Sequence, residues 1–191
     1  PFLPSPIVVE KDGVYSIEKP EKSIGQVGAW HGNFLVLVRA FTYISIMGAS
    51  GLKEVTDNAV LNANYLLVKL KPLFNLEHDR HVMHEVVFSA KKRKGARALD
   101  VSKRLLDFGF HAPTMYFPLV VDEALMIEPT ETESKETLDA FVDALFRIDQ
   151  EASNDSDYLS NAPYNTPISR LDEAKAARFP DLRWEPRNAP D

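Results

Sequence analysis

The longest run of apolar positions in this chain lies between Phe34 and Met47, where Phe34-Leu-Val-Leu-Val-Arg-Ala-Phe-Thr-Tyr-Ile-Ser-Ile-Met47 covers nearly the whole circumference of a helix. Such a pattern predicts a helix buried on most sides, with Asn33 as its cap. A buried strand is the rival reading, but the run is long for one. Gly48 to Gly51 breaks the pattern, and a second helix is expected from Leu52 to about Leu70, with Val55, Ala59, Asn62, Ala63, Leu66 and Leu70 at helical spacing. Pro72 stops it.

Upstream of that run the pattern is weak. Pro1, Pro4, Pro6 and Pro20 punctuate an irregular lead-in, in which Ile7-Val8-Val9 could form a short strand. Downstream, Val82 to Ala90 is a strand candidate that ends in the basic run Lys91-Lys-Arg-Lys94. Leu99 to Phe108 reads as an amphipathic helix closed by Gly109. Short strands are expected around Tyr116–Val121 and Leu125–Glu128. Thr130-Glu-Thr-Glu133 then matches a capping box, and the helix it opens is expected from about Glu131 to Glu151, with Leu138, Phe141, Val142, Leu145, Phe146 and Ile148 as its apolar stripe. From Ser153 onward Asn, Asp, Pro and Arg dominate, which predicts a tail on a neighbour or loosely over the surface.

This order of elements implies an α/β chain with α+β layering, one small sheet covered by helices. The expected organisation is residues 1–33 as an extended lead-in and interdomain loop, residues 34–152 as a small domain, and residues 153–191 as an irregular tail. The first helix has more apolar surface than one small sheet can cover, so it is expected to pack on another subunit or domain.

Composition narrows the possibilities. The 191 residues are 45% hydrophobic and 26% charged, with a net charge of −6. An acidic chain argues against a nucleic-acid partner. There is no cysteine, which removes disulfides, thiolate metal sites and cysteine nucleophiles, and fits a cytoplasmic location. No run is expected to span a membrane, since Phe34–Met47 is short and carries Arg39. The chain begins at Pro1 and not at methionine, so either something was removed or a piece of a longer polypeptide is expected.

Several residues could carry chemistry. The loop Gly28-Ala-Trp-His-Gly-Asn33 precedes a helix, whose free N–H groups can meet an anion; the alternative is a plain turn with Trp30 and His31 at a domain interface. His78, His81 and His84, followed by Glu85, invite a metal reading, but spacings of three do not match the usual ligand pairs. His84 either faces a cleft or is a buried, hydrogen-bonded histidine. His111 and Thr114 sit in a loop after Gly109 that could border a channel; alternatively His111 caps the preceding helix. Lys91–Lys94 is a solvated turn or a patch for an acidic partner.

Ordered motifs across the chain resemble the glycine decarboxylase P-protein family, most closely its separate second subunit in bacteria. They are Pro1-Phe-Leu-Pro4, Lys22-Ser-Ile-Gly25, Gly32-Asn-Phe-Leu35, Ala59-Val-Leu-Asn-Ala-Asn-Tyr65 and Met83-His-Glu85. The clearest are Ala98-Leu-Asp-Val-Ser102, Asp107-Phe-Gly-Phe-His-Ala-Pro-Thr114, Met126-Ile-Glu-Pro-Thr-Glu-Thr-Glu133 and Asn161-Ala-Pro-Tyr-Asn-Thr-Pro167.

That resemblance implies the C-terminal small domain of a fold-type-I pyridoxal-phosphate enzyme, which decarboxylates glycine and passes the aminomethyl group to the lipoyl arm of the H-protein. The family's Schiff-base lysine lies upstream of the segment resembling Pro1. Here no lysine precedes Lys11 and no His-Lys pair occurs, so this segment is expected to be inactive alone. The cofactor would be held mainly by an upstream domain. By analogy, Trp30, His31, Gly32 and Asn33 would reach its phosphate, while His84, His111 and Thr114 would border the substrate channel. The implied partners are the remainder of the P-protein or its other subunit, lipoylated H-protein and glycine, in an oligomer. The rival is an independent, non-catalytic oligomerisation or docking domain.

Overall fold

A computed structural model describes residues 4–26, 32–92 and 97–183. The chain forms two compact units, Pro1–Lys53 and Glu54–Asp191.

The first unit opens with a hairpin. Strands β1 (Ile7–Lys11) and β2 (Val14–Glu18) pair antiparallel, with Lys11 opposite Val14. Asp12 and Gly13 make the two-residue turn, both with positive φ, of 54° and 77°. That conformation matches the twist of the flanking strands, and Asp-Gly adopts it at little cost. The short strand expected at Ile7–Val9 is therefore one arm of a hairpin whose second arm the apolar pattern did not mark.

The two helices expected on either side of Gly48 run as one element, α1 (Phe34–Leu70). It is interrupted at Gly48, where φ 62° and ψ −175° lie in a region open only to glycine. Asn33 caps its start as expected: the Val36 N–H donates to Asn33 Oδ1 at 3.3 Å. The expected burial of the first half is not what the structure shows. Phe34 and Phe41 are 73% exposed, and Leu35 and Ile46 76%. Among the described residues of the first unit, nothing covers this apolar surface. The helix as a whole also contains an 18-residue window apolar enough, by length and composition, to cross a bilayer, so the expectation that no run reaches that length is corrected.

In the second unit the remainder of α1 behaves differently. Ala63, Leu66, Leu67 and Leu70 recur at helical spacing and are buried. They join a core with a three-stranded antiparallel sheet, ordered β3 (Val86–Ser89), β5 (Ala124–Ile127), β4 (Thr114–Met115). β5 is central, and Phe88 of β3 stands opposite its Leu125. Helices α2 (Ala98–Asp107) and α3 (Lys135–Asn154) complete the core through Val101, Leu105, Leu138, Leu145 and Ile148. Phe74 lies 5.7 Å from Phe88, and Phe110 meets Phe141 edge-on at 5.2 Å. The α+β layering is as expected, with the hairpin as a second small sheet.

Three local expectations are corrected. The strand expected at Tyr116–Val121 is a tight loop, with positive φ at Tyr116 and Glu123 at its two ends. It is pinned by the Ala98 N–H, which donates to Glu123 Oε2 at 2.6 Å and so uses the Glu to satisfy a free donor at the start of α2. Thr130 does not cap α3. Residues 130–133 form a turn closed by the Glu133 N–H on the Thr130 carbonyl, and Ser134 is the cap, accepting from the Thr137 N–H at 3.2 Å. Asn62 Nδ2 occupies the turn's carbonyls, at 2.9 Å from Thr130 O and 3.3 Å from Glu133 O.

Nor is the tail loose where it begins. Asp155 caps a short helix α4 (Ser156–Ser160), which buries Leu159; Ala162, just past its end, is buried too. Further on, α5 (Glu173–Arg178) buries no residue.

Candidate functional site

A cavity of about 320 Å³ opens in the second unit, at the edge of the sheet formed by β4 and β5. Its floor comes from the core side chains Leu66, Ile127, Leu138 and Phe141. The loop after α2 turns sharply at Gly109, whose φ of 81° glycine adopts without strain, and brings Phe110, His111 and Thr114 to one wall. The end of β5 and the turn before α3 supply the other, with Met126, Glu128, Glu133 and Thr137.

The sequence named His111 and Thr114 together, and the structure places both on this cavity. His111 does not cap α2. The last carbonyls of that helix are taken by the N–H groups of Phe108, Gly109 and Phe110, on Leu105, Leu106 and Leu105 respectively. His84 is exposed just before β3 and lies outside the cavity lining. His78 and His81 are exposed in the preceding loop, and no group of three His, Asp or Glu among the described residues could hold a metal ion. Gly32 and Asn33 belong to the first unit, and Trp30 and His31 fall outside the described residues. Only Lys91 and Lys92 of the basic run are described, and the Lys91 side chain pairs with Asp122 at 2.5 Å.

A second constellation was not legible as a site. α2 carries two carboxylates whose side chains are 1% exposed, Asp100 and Asp107. Asp107 accepts from the Tyr164 and Asn165 N–H groups at 2.7 and 2.6 Å, and from Arg104 at 2.8 Å. Asp100 accepts from Arg170 at 2.7 Å. Arg104 reaches across to α3, its Nε and Nη2 donating to Glu151 at 2.8 and 2.9 Å, and lies over the rings of Phe108, Tyr158 and Tyr164.

Burial alone would push the Asp107 carboxyl up. The N–H groups of Asn165 and Tyr164 and the Arg104 guanidinium outweigh it and hold the group below the usual carboxylate value. The bidentate bond to Glu151 raises Arg104 further above its ordinary value. The one sequence clue was Asp107 itself: a carboxylate at a helix C-terminus opposes the macrodipole, so it needs partners from elsewhere.

The motifs thus divide between a clasp and a cavity. Asp100, Asp107 and the stretch around Tyr164 fasten the tail, while Phe110–Thr114 and Met126–Glu133 shape the pocket. The class so defined is an α+β domain with an antiparallel three-stranded sheet, closed by a C-terminal segment. The profile of the family described as "Glycine dehydrogenase, C-terminal domain" matches residues 55–166. That match starts where the second unit starts and ends just past Asn165, the last residue that Asp107 holds. The chain belongs to the glycine dehydrogenase C-terminal domain family.

Curated relatives agree. The chain is 56% identical over 188 residues to the probable glycine dehydrogenase (decarboxylating) subunit 2 of Bacillus licheniformis, covering 97% of this chain and 39% of that protein. It is 54% identical over 190 residues to the protein of the same description from Lysinibacillus sphaericus, again covering 97% and 39%. The chain therefore spans about two-fifths of the length of the relatives it matches. Among solved structures it is similar to the crystal structure of glycine decarboxylase (P-protein) of the glycine cleavage system in inhibitor-bound form. The TM-score is 0.62 at 20% identity, over 75% of this chain and 35% of that one, a likeness of fold.

Proposed function

We propose that this chain is the C-terminal part of a pyridoxal-phosphate-dependent glycine decarboxylase, which releases carbon dioxide from glycine and hands the aminomethyl group to lipoylated H-protein. The observation that carries this reading is the family match over residues 55–166, together with subunit 2 relatives that extend far beyond the present chain.

The cavity does not fit the cofactor. It contains no lysine and no arginine, and two of its polar residues are glutamates, which would repel a phosphate. Pyridoxal phosphate needs an amine to bond and donors for its phosphate. It belongs with the three-fifths or so of the relatives that this chain does not span. The role proposed here is to close the cleft from one side, with His111 and Thr114 bordering the channel used by glycine and His84 at its approach. The loop from Trp30 to Asn33 would reach the cofactor phosphate. Supporting this are the positive φ of Gly32 and the helix N-terminus that follows it, although Asn33 Oδ1 is engaged by Val36.

The exposed half of α1 is the proposed docking face for the remainder of the enzyme, in a cytoplasmic oligomer. A bilayer is the poorer cover. Arg39 lies within the apolar run, and the non-helical backbone at Gly48 would leave polar groups unsatisfied in hydrocarbon. The same exposed face favours a second reading, a self-standing oligomerisation module without catalysis.

One experiment separates the two. The chain is co-purified with the upstream portion of a subunit 2 relative and the other subunit, then assayed for glycine-dependent carbon dioxide release with lipoylated H-protein. The decarboxylase reading expects no activity from the chain alone, activity from the mixture, and loss of association on Phe41→Asp. An active isolated chain would overturn it. So would an upstream portion equally active without its C-terminal partner, which leaves the oligomerisation module.

A further inference from the structure

One wall of the cavity is held by a residue that does not line it. Asn62, on the second half of α1, donates through Nδ2 to two carbonyls at once, Thr130 O at 2.9 Å and Glu133 O at 3.3 Å. The turn between them is closed by the Glu133 N–H on Thr130 O and brings Glu133 into the cavity lining. Leu66, four positions after Asn62 and therefore on the same side of the helix, lies in the cavity floor. One helix face thus sets floor and wall together.

Stability does not account for this grip. Asn64 offers the comparison. Its side-chain amide pairs with both backbone groups of Val82, at 3.1 and 2.7 Å, and Val82 packs on the core, so that contact fastens the fold. The partners of Asn62 lie in a surface turn, where Thr130, Thr132 and Glu133 are all exposed. Water reaches carbonyls placed there, so a protein donor adds little net free energy. What it adds is a fixed position for the turn.

We propose that Asn62 is a positioning residue for the glycine reaction. By tying the turn at 130–133 to the side of α1 that carries Leu66, it sets the width of the cavity that His111 and Thr114 also line. This deepens the reading of the cavity as a border of the glycine channel, and rests on it. Asn62 acts through a wall of that channel and not on the reacting atoms. Its loss therefore weakens the uptake of glycine and leaves the chemical step alone, which raises KM and spares kcat.

The test uses the reconstituted enzyme, this chain with the upstream portion of a subunit 2 relative and the other subunit. Glycine-dependent carbon dioxide release is measured at saturating lipoylated H-protein. Asn62→Ala and the shape-preserving Asn62→Asp both remove the donor. Each should raise KM for glycine about tenfold with kcat within about twofold of the parent, short of the ~100-fold that a displaced reacting group costs. Ser134→Ala is the control. It removes the α3 cap beside the same turn but leaves the grip of Asn62 in place. It should lower Tm of the chain by about 3 °C and leave KM unchanged. An equal rise in KM for Ser134→Ala would make the role of Asn62 one of stability only, and overturn the proposal. A parent-like KM in both Asn62 variants, or a loss of kcat at unchanged KM, would overturn it as well. His111→Ala judges the channel reading separately. If it lowers turnover while the Asn62 variants match the parent, the channel stands and the positioning role fails. If it has no effect while the Asn62 variants raise KM, the positioning role stands and the place of His111 on the channel fails.

Discussion

The two halves of α1 have similar apolar content and opposite fates. Leu66 and Leu70, in the second half, are 1% and 0% exposed within a core built from this chain, whereas Phe34, Leu35, Phe41 and Ile46 stand in the open. An apolar residue announces that something should cover it, but not what. In the second half the cover is the sheet, α2 and α3. In the first half none of the described residues of the first unit supplies it.

The sharpest way to break that comparison is to remove the same atoms from both halves. Leu70→Ala should cost about 3 kcal/mol in urea denaturation, the usual result of emptying a packed leucine site. Leu37→Ala, at an exposed position, should stay within about 0.5 kcal/mol. A large cost at Leu37 would mean that the first half is covered in solution, for example by a second copy of the chain.

Next in size is the clasp. Asp107→Asn should cost about 2 kcal/mol, less than losing the partner altogether, because the amide keeps one accepting oxygen. The sign with pH is fixed by the depressed pKa of the carboxyl in the folded protein. Its contribution is present above the unfolded value of about 3.9 and is lost as pH falls from about 5 through the folded value. Stability of the parent should therefore drop in that window more steeply than that of Asp107→Asn, as read from unfolding curves at each pH.

Smaller effects sharpen the helix starts. Ser134→Ala should cost about 1 kcal/mol as a lost cap, while Thr130→Ala should fall within about 0.5 kcal/mol, since among the described residues its hydroxyl meets only Thr132. Equal costs would restore the capping box suggested by the residue pattern. Smallest is Asn33→Ala, expected at about 0.5 kcal/mol and confined to faster amide exchange over the first turn of α1.

What the sequence made legible follows from what is local. Asn33 as a cap, the break at Gly48 and the span of α2 each depend on residues within a few positions of one another. What it hid depends on distant partners. Thr130-Glu-Thr-Glu133 satisfies the capping pattern, yet Asn62, far upstream, takes that turn and moves the helix start to Ser134. The strand expected at Tyr116–Val121 is cancelled by Glu123 reaching for the start of α2. No spacing rule could join Asp107 to Tyr164. The hairpin is the exception, because its turn at Asp12-Gly13 is itself a local signal.

The reach of Asp107 also sets an order of events. Its bond to Tyr164 closes a loop between positions 57 apart, and closing so long a loop costs chain entropy before any contact repays it. The α2–α3 packing, with shorter connections, can form first and present the carboxylate to the arriving chain. During synthesis the carboxylate leaves the ribosome before Tyr164 and Asn165 do, so the nascent unit passes through a stage in which the group has only Arg104 and awaits its backbone donors. Segments past α4 should then be the last to gain protection during refolding and the first to be cut by protease when the unit breathes.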